Sequence, residues 1–148
     1  MSSAENHYAR WFGRIVLAGV AANLCLALPA LFYPNALLSA LGLRPALENP
    51  LWPSFASLLL LLLSAFYVPG ALDPQRYRAS AWLAVLARFA GFFFFVVRAT
   101  EYPLFGYFDL IFGLPEALLL VLYLRAEGRV PARVDAAELK GEHVQLAE

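Results

Sequence analysis

Residues 79–125 read ASAWLAVLARFAGFFFFVVRATEYPLFGYFDLIFGLPEALLLVLYLR. Two apolar segments, 79–99 and 105–125, flank a short turn. At about 1.5 Å of rise per residue, each is long enough to cross a hydrocarbon core of about 30 Å. So short a link predicts antiparallel neighbours. Four charges sit inside these segments: Arg88 and Arg98 on the first, Asp109 and Glu116 on the second. A charge at the bilayer centre costs about 2.5–3.5 kcal/mol on insertion scales, so opposite charges at matched depth are the favourable arrangement. In an antiparallel hairpin, residues at equal depth have position numbers of nearly constant sum. Arg88 and Glu116 add to 204, and Arg98 and Asp109 to 207, which gives both pairs a turn centre near 102–103.5. Glu116 follows Asp109 by seven residues, returning to the same helix face within about 20°. The spacing predicts an Arg88–Glu116 pair near the midplane and an Arg98–Asp109 pair near one surface.

Composition agrees with a lipid environment. The chain has 148 residues, 61% hydrophobic and 15% charged, with a net charge of zero. A soluble domain carries about 45–50% apolar and 25% charged residues. The absence of a basic stripe argues against nucleic acid. Cys25 is the single cysteine, and the two histidines, His7 and His143, lie in opposite tails. The sequence therefore offers no disulfide, no metal-ligand cluster and no cofactor motif. Ten arginines against one lysine, with abundant Ala and Leu, suggest a GC-rich bacterial genome.

The segments outside the hairpin read as scaffold. A first span is predicted at about 12–33, since no charge occurs between Arg14 and Arg44. The run is too long for a cleaved signal peptide and is expected to be retained. Pro29 lacks an amide hydrogen and predicts a kink. Asn23, near mid-depth, is expected to hydrogen-bond another helix. Residues 34–48 are predicted to form a short non-spanning helix with Asn35 as cap and Gly42 as terminator. Its stripe of Leu37, Leu38 and Leu41 would lie on the outer leaflet or pack across the mouth of the helices. A second span is predicted at about 51–70, with Leu58–Leu63 facing lipid, Ser57 and Ser64 sharing a face against a neighbour, and Pro69-Gly70 closing it. Asp73-Pro74 is a helix-start signal, and Arg76 and Arg78 are expected to meet lipid phosphates. Ala87 and Gly91, four apart, would admit a close helix contact. The Phe92–Phe95 run must point all round its helix, toward lipid, a partner or a lipophile. In the last span Pro115 leaves the Ile111 carbonyl unpaired beside Glu116, and Tyr123 extends the same face.

The predicted fold is thus all-α: an integral membrane four-helix transmembrane bundle over residues 1–125, with spans at about 12–33, 51–70, 79–99 and 105–125. A polar cytoplasmic tail follows at 126–148, with a short helix at 134–140. Eight basic residues (Arg10, Arg14, Arg76, Arg78, Arg125, Arg129, Arg133, Lys140) fall on one side and two (Arg44, Arg98) on the other. That asymmetry predicts both termini on the cytoplasmic side of a bacterial inner membrane.

The residues of interest are Asn23, Arg88, Arg98, Asp109, Glu116 and Tyr123. Three readings stand: a buried ion-pair network that fixes helix register, recognition of the polar head of a quinone, sterol or isoprenoid, and proton transfer with Glu116 as acid or base. The order of elements, with Pro34…Leu41-Gly42-Leu43, Asp73-Pro74 with Arg76 and Arg78, and Phe108-Asp109…Glu116-Ala117 in the last span, resembles the small four-helix bacterial membrane proteins grouped as DoxX-like. That resemblance implies an accessory membrane subunit in a redox or energy-transducing complex, and carries no residue role with it. The leading expectation is a non-catalytic accessory subunit partnered by lipid and other membrane chains. The alternative is a stand-alone enzyme or carrier for a small lipophile at Arg88 and Glu116, which requires a cavity reaching them.

Overall fold

The computed structural model describes residues 3–44 and 51–127, with side chains from His7 onward. These residues form five helices: α1 (Ser3–Phe32), α2 (Pro34–Ala40), α3 (Leu51–Leu72), α4 (Arg78–Val97) and α5 (Pro103–Glu127). No strand occurs among the described residues. Four of the helices are long and apolar enough to cross a membrane. The tail at 126–148 and its helix at 134–140 lie outside the described residues beyond Glu127. α1 packs against α3 and α5, and α4 packs against the same two, so the four long helices stand in a ring.

Local chemistry sets the helix ends, and several differ from the expected ones. Pro34 takes the first helical position of α2, where a missing N–H costs nothing. Asn35 therefore lies inside the first turn rather than capping it, and α2 starts without a side-chain cap. Gly42 does end it. Its φ of 70° lets Gly42 N–H reach the Ser39 carbonyl and Leu43 N–H the Leu38 carbonyl, at 3.0 and 2.9 Å, which is the Schellman arrangement. The packed reading of α2 holds for its inner face, since Leu38 is buried. Asp73 accepts from Arg76 N–H at 2.9 Å and caps the turn over 74–77, but regular helix begins only at Arg78. Arg78 pairs with Glu127 at the end of α5 as well as remaining half-exposed.

Pro69-Gly70 does not close α3, which runs on to Leu72. Instead, the Ser80 hydroxyl of the next helix enters its ladder. It accepts from Gly70 N–H at 3.0 Å and donates to the Phe66 carbonyl, two groups that an unbroken helix would bond to each other. The approach is close enough that a Cβ at Gly70 would run into the Ala81 backbone.

The core is one-sided. Phe12, Val16 and Val20 of α1, Tyr67 and Ala71 of α3, Ala81, Ala84 and Val85 of α4, and Leu120 and Tyr123 of α5 form one buried cluster. All lie toward the end where α1 and α4 begin. Much of the outer surface is apolar, including Leu58, Leu59, Leu62, Phe93 and Phe94, as lipid contact requires. Ser57 and Ser64 are both buried on one face of α3.

Gly70→Ala is expected to destabilise the fold by about 1–3 kcal/mol, because the new methyl must push α3 and α4 apart. Ser80→Ala should cost about 1 kcal/mol. Thermal unfolding of the purified protein in mild detergent checks both values and their order.

Candidate functional site: a shared guanidinium at the floor of a cleft

The register between α4 and α5 decides which charges meet. α4 stops at Val97 and α5 begins at Pro103, so the turn centre falls at 100 rather than 102–103.5. Facing positions confirm it: Gly91 abuts Asp109, Gly113 abuts Arg88 and Gly106 abuts Phe95, pairs whose numbers add to 200 or 201. Arg88 is therefore level with residues 112–113, between Asp109 and Glu116, and its long side chain serves both. Its Nη1 donates to Asp109 Oδ1 at 2.9 Å. Its Nε lies 4.0 Å from Glu116 Oε1, an ion-pair separation too long for a hydrogen bond.

The predicted Arg98–Asp109 pair does not form. In this register Arg98 is level with residues 102–103, more than a helical turn beyond Asp109. It caps the end of α4, donating its backbone N–H to the Phe94 carbonyl at 2.8 Å, with its side chain exposed.

Asn23 of α1 joins the group. Its Oδ1 accepts from Arg88 Nη1 at 3.0 Å, and its Nδ2 donates to Ser64 Oγ of α3 at 2.9 Å. A polar chain Asp109–Arg88–Asn23–Ser64 thus touches all four long helices. The guanidinium also sits over the rings of Phe108 and Phe112, 5.8 and 5.3 Å from their centroids, where an aromatic face favours a cation. Three glycines make the space. A Cβ at Gly113 would stand 2.9 Å from Arg88 Cβ, one at Gly19 2.5 Å from Arg88 Nη2, and one at Gly91 would collide with Asp109 Oδ2.

Burial separates the three charges. Arg88 is 3% exposed and Glu116 1%, whereas the Asp109 side chain is 19% exposed. Among the described residues, Arg88 Nε and Nη2 and both Glu116 oxygens have no hydrogen-bond partner. Asp109 owes its exposure to a cleft of about 460 Å³ that opens among the ends of α1, α3, α4 and α5. Pro34, Pro53 and Tyr102 line it near the helix ends, Leu60, Leu63 and Phe105 also line it, and Asn23, Arg88 and Asp109 line it at the depth of the charged group. From Phe95 to Arg88 it descends seven residues of α4, about 10 Å of helix rise. Glu116 and Tyr123 do not line it. Glu116 is sealed behind Arg88, and Tyr123 belongs to the apolar core cluster.

Gly19, Ser64, Tyr67, Phe108 and Phe112 did not stand out as site residues in the sequence. The available signal was weak: Ser64 and Asn23 are the polar residues near the middle of their spans, but nothing in their spacing pairs them. Among the described residues no three of His, Cys, Asp and Glu come together. Comparison of the chain with known protein families, curated proteins and solved structures finds no match.

Arg88→Met is expected to cost about 3–5 kcal/mol, because it leaves buried Glu116 and half-buried Asp109 without a counter-charge. Arg98→Ala should change stability by no more than about 0.5 kcal/mol. Denaturant titration in mixed micelles, followed by circular dichroism, compares them directly. Equal losses at the two arginines would contradict the register described.

Proposed function

We propose that this chain is an integral membrane protein whose four spans form a transmembrane bundle, and that it holds a small lipophile in the cleft with the polar end at the floor formed by Asp109 and the Arg88–Asn23 pair behind it. The carrying observation is that one cleft is lined both by Pro34 and Tyr102 at the helix ends and by the charged group of Arg88 and Asp109. Its volume falls in the range of about 300–1,000 Å³ found for small-molecule sites, which are mostly apolar with a few convergent polar groups. A purely structural ion pair is expected to be closed over by packing, as Glu116 is; Asp109 is left open. The excess of Arg and Lys on one side supports both termini in the cytoplasm of a bacterial cell, with the cleft mouth on the outer face. The role is carriage or sensing of the lipophile, and no reaction is assigned.

The accessory-subunit reading asks for another chain over the phenylalanine or leucine faces. Those faces are apolar, as lipid contact alone requires, and so single out no partner.

Native mass spectrometry from mild detergent tests the proposal. The chain should retain a discrete small lipophile, and Ser57→Leu, which fills the cleft wall beside Pro53, should release it without unfolding the protein. Co-purifying partner chains with no retained lipophile would favour the accessory role instead.

A further inference from the structure

The floor of the cleft has an uneven charge balance. One guanidinium, Arg88, stands against two carboxyl groups, Asp109 and Glu116, so the pair of acids shares a single cation. Arg88 and Asp109 are the charged residues that line the cleft. Of these, the carboxylate is the accessible one, at 19% against 3% exposure.

The guanidinium is turned away from an incoming head group. Its Nη1 is taken by Asn23 and Asp109. Its Nη2 lies so close to α1 that a Cβ at Gly19 would be 2.5 Å away, and its Nε faces Glu116. No fork of parallel N–H donors points into the cleft, which is what a carboxylate or phosphate head would need. An anion arriving there would meet the Asp109 carboxylate first. The walls add a second preference. Tyr67, Phe95, Tyr102, Phe105 and Phe108 line the same space, and aromatic faces attract organic cations.

Building on the lipophile-binding reading above, we infer that the cleft selects amphiphiles whose polar head is a protonated amine, with Asp109 as the counter-ion and the aromatic wall around the cation. A quinone or sterol head, the alternative raised from the sequence, brings no second cation to the two acids. An ammonium supplies one, so that an ionised Asp109 is paired in an apolar setting.

A matched set of probes on one hydrocarbon cage separates head-group chemistry from hydrophobicity: 1-adamantylamine, 1-adamantanol and 1-adamantanecarboxylic acid. Calorimetric titration of the full chain in neutral detergent, corrected for partition into empty micelles, is expected to rank amine over alcohol by at least about tenfold, a difference of about 1.4 kcal/mol, with the acid weakest. Asp109→Asn should remove most of the amine's advantage over the alcohol. Alcohol equal to amine, or acid tightest, overturns the inference and leaves the lipophile-binding reading standing. Binding of none of the three overturns both. Should Asp109→Asn fail to fold, the ranking on the unaltered chain decides alone.

Discussion

One guanidinium serving two carboxyl groups, one sealed and one at the floor of a cleft, is the constraint around which the four long helices are arranged. Arg88 cannot leave its depth without stranding Asp109, Glu116 and itself in an apolar interior, where an unpaired charge costs several kcal/mol. The pairing fixes the register of α4 against α5. The hydrogen bonds through Asn23 to Ser64 then fix α1 and α3 against that pair. The glycines at 19, 91 and 113 follow from the same demand, since each leaves room for Arg88 or Asp109. Such a cluster need not add net stability; its value lies in specifying one arrangement among helices whose apolar faces would otherwise slide.

The two ends of the helix ring are built differently. Toward the start of α1, aromatic and small residues close into a dense core, and the Ser80 hydroxyl stitches α4 into the ladder of α3. Toward α2 the helices leave a cleft that reaches down to the charged group. Packing density therefore falls at the polar floor: Glu116 is on the filled side of Arg88 and Asp109 on the open side. Two carboxylates seven residues apart on one helix face are thereby given different surroundings, one sealed and one reachable. That difference is the physical basis for assigning recognition to Asp109 rather than to Glu116.

Much of this was legible in the residues. Long charge-free runs announce helices able to span a membrane, and small residues at Ser64 and Gly91 announce close contacts that the structure contains, whereas Ser57 bonds the Pro53 carbonyl of its own helix and lines the cleft. Gly42 announces a helix end, because only a residue without Cβ adopts that φ at little cost. Depth matching brought Arg88 to the acidic face of α5 but placed the turn centre at 102–103.5 instead of 100, because α4 stops at Val97 and Pro103 opens α5 earlier than the apolar pattern suggests. The level facing Arg88 thereby moves from 116 to 112–113, about 5 Å of rise, enough to centre Arg88 between the two acids and to leave Arg98 outside. Asn35 misled in the same way: Pro34, with its preset φ, took the helix start from it.

The sequence by itself determined that the chain is helical, that four helices are apolar enough to cross a membrane, and that the charges of the α4–α5 hairpin must find one another, because hydropathy and helical period are local properties. Tertiary structure alone decided which acid Arg88 bonds, that Asn23 and Ser64 complete the chain, and that a cleft stops at Asp109 while Glu116 is walled in. Those outcomes depend on how side chains from separate helices fill a shared volume, and no spacing along one strand of residues encodes the space left over.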